Sequence, residues 1–140
     1  MSTLVIKELD VADLTASISL WWEVGLTIGA SDTIPELELF ISLNPTTSLV
    51  GWLDDQLVAT VLGGFDGRRG LVHHLAVASI HQGKGFGRVM MEELDRRYQA
   101  MGVVKYSFWI EPRNQKVIEF YRHLGYEMRD LITISKTLRS

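Results

Sequence analysis

The sequence predicts a mixed α/β domain on a mostly antiparallel sheet of six to seven strands, flanked by about four helices. Three observations lead there. Three apolar β-type runs follow one another between positions 48 and 78 with only turn residues between them, which makes the centre of the sheet antiparallel. A dense glycine stretch, "HQGKGFGR", then closes the third run and opens a helical pattern. After it, helix and strand patterns alternate. A β-α-β unit added to an antiparallel core is a mixed fold, unlike a doubly wound parallel sheet.

The elements follow in chain order. "TLVIKEL" (Thr3–Leu9) is a short β-rich run. Asp10, with Asp13 three residues on, predicts a helix start with an acidic first turn. Leu14, Ile18, Trp21 and Trp22 recur at helical spacing, giving a helix over roughly 11–26. "SDTIPELELFISL" reads as a second helix, capped by Ser31 or Asp32, with Pro35 near its first turn and an end before Pro45. Strands near 48–53, 57–65 and 70–78 are joined by turns at Asp54-Asp55-Gln56 and Asp66-Gly67. Phe86, Val89, Met90, Leu94, Tyr98 and Met101 step at threes and fours, an amphipathic helix ended by Gly102. "VVKYSFWI" is the next strand, and "NQKVIEFYRHLG" a short helix with Asn114 at its N-cap. "YEMRDLITISKTL" closes the chain as one or two further strands.

Composition narrows the classes of function. The chain has 140 residues, 46% hydrophobic and 22% charged, which is enough for one domain spanning residues 1–140 and a proper core. Fourteen basic residues against seventeen acidic ones leave a net charge of −3, which argues against a nucleic-acid partner. There is no cysteine, so a disulfide framework, a thiolate metal site and a cysteine nucleophile are excluded. The four histidines, 73, 74, 81 and 123, lack carboxylate partners at metal-ligand spacing, so no metal is expected. No signal peptide or membrane span is visible, and the cytoplasm is the expected compartment. Surface aromatics near Trp52 or Trp109 would mark a homodimer contact, though burial in the sheet explains them equally.

The glycine loop carries the chemistry. The first amides of a helix have no partners inside it, and the helix dipole favours negative charge beside them. Glycine lets a phosphate oxygen approach the backbone closely. "QGKGFGR" therefore suits a phosphate group, with Lys84 and Arg88 adding positive charge, although a plain turn would use the same residues. Two nucleotide templates fail. Lys84 is followed by Gly85 where a P-loop needs Ser or Thr, and the third glycine of a dinucleotide loop is displaced by Arg88 or Met90.

"LAVASIHQGKGFGRVMMEEL" resembles the acyl-CoA pyrophosphate loop of the GCN5-related N-acetyltransferase (GNAT) superfamily. The signature [RQ]-x-x-G-x-[GA] after a strand ending L-x-V stands here as Gln82 to Gly87 behind Leu75-Ala76-Val77. A second block of the family is matched by Asn114, Tyr121, Leu124, Gly125 and Tyr126. Two small departures are Ser79, where a proline is common, and Val117, where alanine is.

The resemblance implies an acetyl-CoA-dependent N-acetyltransferase with a GNAT fold. The amides of Gln82, Gly83, Lys84, Gly85, Phe86, Gly87 and Arg88 would hold the pyrophosphate. The backbone of Leu75, Ala76 and Val77 would pair with the pantetheine arm. Asn114 would contact that arm, cap its helix, or do both. Tyr121 would protonate the departing thiolate, although Val117, Ile118 and Leu124 share its face and would equally make it core. For the general base, His73 matches a position some members use, with His74 on the opposite strand face as the alternative. Glu111 and water remain open. Trp21, Trp22 and Glu23 would line the acceptor pocket or fill the core. The acceptor would be a small-molecule amine or a peptide amine. A non-catalytic acyl-CoA-binding module and a purely structural domain are the competing readings.

Overall fold

Asp10 starts the first helical segment as its spacing to Asp13 predicts. The Asp10 side chain accepts the Ala12 amide at 3.2 Å, and the Asp10 amide donates to Asp13 at 2.9 Å, a reciprocal capping box. In the computed structural model, which describes residues 3–139, the chain runs β1 (Val5–Glu8), a 3-10 turn at Val11–Asp13, α1 (Leu14–Glu23), α2 (Ile34–Leu43), β2 (Ser48–Leu53), β3 (Gln56–Phe65), β4 (Gly70–Val77), a 3-10 turn at Ser79–His81, α3 (Phe86–Ala100), β5 (Tyr106–Ser107) and α4 (Gln115–His123). Contacts divide it into two compact units, one through Phe108 and one from Trp109 on. No helix among the described residues is long and apolar enough to cross a membrane.

The first unit holds one sheet in the order β1-β2-β3-β4-β5. The first three pairings are antiparallel and β4–β5 is parallel. The β2–β3 turn is Asp54-Asp55, both left-handed at φ 49° and 65°, the twist a two-residue hairpin requires. The β3–β4 turn is held by Asp66, whose Oδ1 accepts the amides of Arg68 and Arg69, each at 2.8 Å. Those two bonds hold its carboxyl below the ordinary carboxylate range.

Alternation along β3 sends successive residues to opposite faces. Gly63 faces α3: a Cβ there would lie 2.6 Å from Leu94 and 3.0 Å from the Tyr98 hydroxyl. Leu62 and Gly64 face the other way, toward α1 and α2, where Leu14, Leu20, Trp21, Leu37 and Val50 form a buried cluster. In α3, Met90, Met91, Leu94 and Tyr98 are buried on one stripe, as the threes-and-fours spacing predicts. Beyond α3, the Gly102 amide donates to Gln99 and the Val103 amide to Tyr98, the paired bonds that end a helix at a glycine.

Two expectations need correction. Among the described residues the sheet has five strands, fewer than six to seven, because 126–138 contains no strand; "VVKYSFWI" contributes only Tyr106–Ser107. A strand exists through its ladder and a face to bury, not through β-type side chains alone. Val104, Trp109, Leu131, Ile132, Ile134 and Leu138 are all exposed, so many of the residues that made these stretches strand-like have no buried face to fill. The second helix is capped by Thr33, whose Oγ1 accepts the Glu36 amide, and not by Ser31 or Asp32.

Candidate active site

The ladder between β3 and β4 slips where the candidate bases lie. Thr60 pairs with Ala76 and Leu62 with His73, so His74 and Leu75 together oppose Val61 alone. This is a bulge, and His74 takes a left-handed backbone at φ 50°. Holding a non-glycine residue there costs roughly 1–2 kcal/mol. The bulge resets the alternation and overturns the expectation that His74 points to the opposite face from His73. The His73 ring meets Phe40 of α2 edge-on at 5.9 Å, the His74 ring lies 4.3 Å from Trp21 of α1, and the two imidazoles are 6.5 Å apart. Burial lowers the His73 pKa, with the neighbouring His74 adding to the shift and Asp32 opposing it.

Trp21 and Asp32 build the surroundings of His74. The Trp21 indole N–H donates to Thr60 Oγ1 at 2.8 Å, and the same hydroxyl donates to the His74 carbonyl at 2.9 Å. His74 Nε2 lies 2.9 Å from Asp32 Oδ1, and Asp32 Oδ2 accepts the Gly29 amide at 2.8 Å. The two side chains are 17% and 12% exposed, neither sealed nor open to bulk water. Asp32 belongs to this site, although its place before an apolar run made it read as a cap. Its pairing is set across 42 positions and left no local signal. The tryptophans divide: Trp21 is fully buried and Trp22 is exposed. Glu23 accepts the Ser79 amide at 3.2 Å, which ties the end of α1 to the exit of β4. Trp52 packs against the buried cluster on the α1–α2 face.

Before the bulge, β4 loses its parallel neighbour. Among the described residues β5 pairs only with Gly70 and Leu71, while β4 continues through Val77. On that side Leu75, Ala76 and Val77 have no ladder partner among the described strands. Gln82 braces the strand's end, its Nε2 donating to the Val77 carbonyl at 2.9 Å.

The glycine loop follows at once. Gly83 and Gly85 take φ 80° and 83°, and the space beside each is open where a Cβ would stand. Gly85 is the N-cap of α3, and no side chain caps the helix. Phe86, Gly87 and Arg88 thus begin a fifteen-residue helix with their amides leading, and the first intrahelical bond is Val89 to Gly85. Lys84 Nζ lies 3.1 Å from His81 Nδ1. Two left-handed glycines, uncapped amides and flanking Lys84 and Arg88 fit the diphosphate of an acyl-CoA.

The second unit carries the other two candidates on α4. Asn114 occupies the N-cap position, but its side chain makes no capping bond. Tyr121 is buried, its ring edge-to-face with Phe120 and Tyr126 at 5.0 and 5.2 Å. Burial raises its pKa, and Tyr126 adds to the shift, so the phenol keeps its proton well beyond neutral pH. Glu111 is exposed beside Arg113 at 2.5 Å, a surface ion pair.

Comparison with known proteins gives the family and the fold. The model of the acetyltransferase (GNAT) family matches residues 14–126. An acetyltransferase of Pectobacterium atrosepticum is 31% identical over 126 residues, covering 90% of this chain and 89% of its own. Two solved structures share the fold. The PaiA N-acetyltransferase of Thermoplasma acidophilum, in complex with coenzyme A, has a TM-score of 0.82 at 15% identity, covering 93% of each chain. Glucosamine-6-phosphate N-acetyltransferase of Arabidopsis thaliana has a TM-score of 0.71 at 22% identity, covering 98% of this chain and 99% of its own.

Proposed function

Because the chain belongs to the acetyltransferase (GNAT) family, we propose that it passes an acetyl group from acetyl-CoA directly to a primary amine, of a small molecule or at a peptide or protein N-terminus, in a ternary complex. The observation that carries this reading is the uncapped head of α3 behind two left-handed glycines, at the exit of a strand that has left its neighbour. The coenzyme A bound to the Thermoplasma protein and the amino sugar phosphate in the Arabidopsis enzyme's name support the two substrate classes.

Acetyl-CoA brings a thioester, which reacts only with a neutral amine. The amides from Gly83 to Arg88 hold its diphosphate; the Gln82 amide, expected among them, donates instead to the Ser79 carbonyl at 3.3 Å. The β4 backbone at Leu75, Ala76 and Val77 aligns its arm, with an amide near Val77 facing the carbonyl oxygen. Asn114, whose side chain does not cap α4, contributes a further polar contact to that arm. Tyr121, held protonated by burial, gives its proton to the leaving sulfur. A β4 histidine removes the amine's proton, and His73, kept neutral by burial, is the position matched by the family pattern. That proton matters more for some acceptors. Freeing a lysine-type amine at pH 7 costs about 4–5 kcal/mol, an α-amine about 1–1.5 kcal/mol.

Thermal denaturation with acetyl-CoA tests the reading. Acetyl-CoA at one hundred times its Kd adds about 2.7 kcal/mol to stability and raises Tm by several degrees. A Tm unmoved at millimolar acetyl-CoA removes the reading. Tyr121→Phe separates an enzyme from a binding module: its thiol release on a panel of amines falls about 10²–10⁴-fold while the acetyl-CoA shift persists.

A further inference from the structure

The two β4 histidines differ in what holds them. His73 packs edge-on against Phe40. His74 has its backbone held left-handed at a bulge, its carbonyl bonded by Thr60, its ring laid on Trp21 and its Nε2 on a carboxylate. That carboxylate is itself fixed, since Asp32 Oδ2 holds the Gly29 amide. A non-glycine residue kept in a left-handed conformation beside a buried network is a mark of function. The bulge also lies past Leu71, where β5 stops pairing, and leads directly into the Leu75–Val77 backbone.

We propose that His74, oriented by Asp32, is the base that takes the proton from the acceptor's ammonium, with Asp32 as its positioning residue. This rests on the acetyltransferase reading. A carboxylate only accepts hydrogen bonds, so Asp32 fixes the Nε2–H tautomer and leaves the Nδ1 lone pair as the proton acceptor. Nδ1 takes one proton from R–NH3⁺. The nitrogen lone pair of R–NH2 then attacks the thioester carbonyl carbon, forming C–N as C–S breaks. The departing sulfur takes the general acid's proton, the second proton lost from nitrogen restores that acid, and His74 releases its proton to water. While charged, the imidazolium is paired with Asp32 and lies against the Trp21 ring. The charged or titratable groups facing it are Asp32 from the α1–α2 loop and His73 on β4. Trp21 from α1 and Thr60 from β3 do not titrate at these pH values.

The test is the pH profile of kcat/KM, by thiol release, for the wild type, His74→Asn, Asp32→Asn and His73→Gln. Asparagine tolerates the left-handed backbone, so His74→Asn keeps the bulge, although its shorter amide stops short of Asp32. We expect it to lose the acidic limb and about 10²–10⁴-fold in kcat/KM, while its acetyl-CoA thermal shift matches the wild type. Asp32→Asn lowers kcat while the amine KM and the acetyl-CoA thermal shift stay at wild-type values, a split that a merely structural tether would not produce. If His74→Asn keeps the limb within threefold of wild-type kcat/KM, or His73→Gln is the variant that removes it, the assignment fails. Should His74→Asn not fold, an unchanged kcat in Asp32→Asn is sufficient to overturn it. Failure of the acetyltransferase reading shows separately, as a wild type that acetyl-CoA does not stabilise.

Discussion

Thr60 has one hydroxyl proton and uses both sides of the group: it donates to the His74 carbonyl and accepts the Trp21 indole. Thr60→Val keeps the shape and removes both bonds, leaving a buried indole N–H without its acceptor. The expected loss is about 1–3 kcal/mol, read as a lower urea midpoint at unchanged slope. An unchanged midpoint would mean that water replaces the hydroxyl. At this scale the sequence was partly legible. Helical spacing placed Trp21 and Trp22 on α1, but neighbours on a helix point about 100° apart. Only the packed structure decides that Trp21 is buried on His74 and Trp22 faces solvent.

Packing of α3 on the sheet depends on close approach at β3. A Cβ on Gly63 would come within 2.6 Å of Leu94 and 2.9 Å of the Thr47 carbonyl. Gly63→Ala must therefore push α3 or the Thr47 backbone ahead of β2 aside, and a destabilisation of about 1–3 kcal/mol is expected, measured by urea unfolding. A neutral substitution would show that the interface between α3 and the sheet is loose. The boundaries of β2, β3 and α3 agree with the sequence pattern to within one residue, because turn residues and helix-ending glycines act on their own neighbours in the chain. The capping residue of α2 was misplaced by one or two positions for a different reason. Ser31, Asp32 and Thr33 are all good caps, and Asp32 is drawn away by His74.

Stability of the whole molecule should depend on pH through His73. Burial lowers its folded pKa below the ordinary value of 6.5. As pH falls below about 6.5 the unfolded chain binds a proton that the folded one refuses, so stability is full above that pH and declines below it. The urea midpoint should be level from pH 8 to 7 and fall toward pH 5, with the fall reduced in His73→Gln. An equal fall in that variant would assign the dependence to other groups.

The sequence by itself determined the helices, the antiparallel core, the glycine loop and the family, because these rest on residues close together in the chain. The tertiary structure decided the number of strands, since a ladder needs a partner that a β-type run cannot provide alone. It also decided which histidine has a carboxylate beside it. A one-residue slip between β3 and β4 turns His74 toward α1, and Asp32 reaches it only once the α1–α2 loop has folded over the sheet.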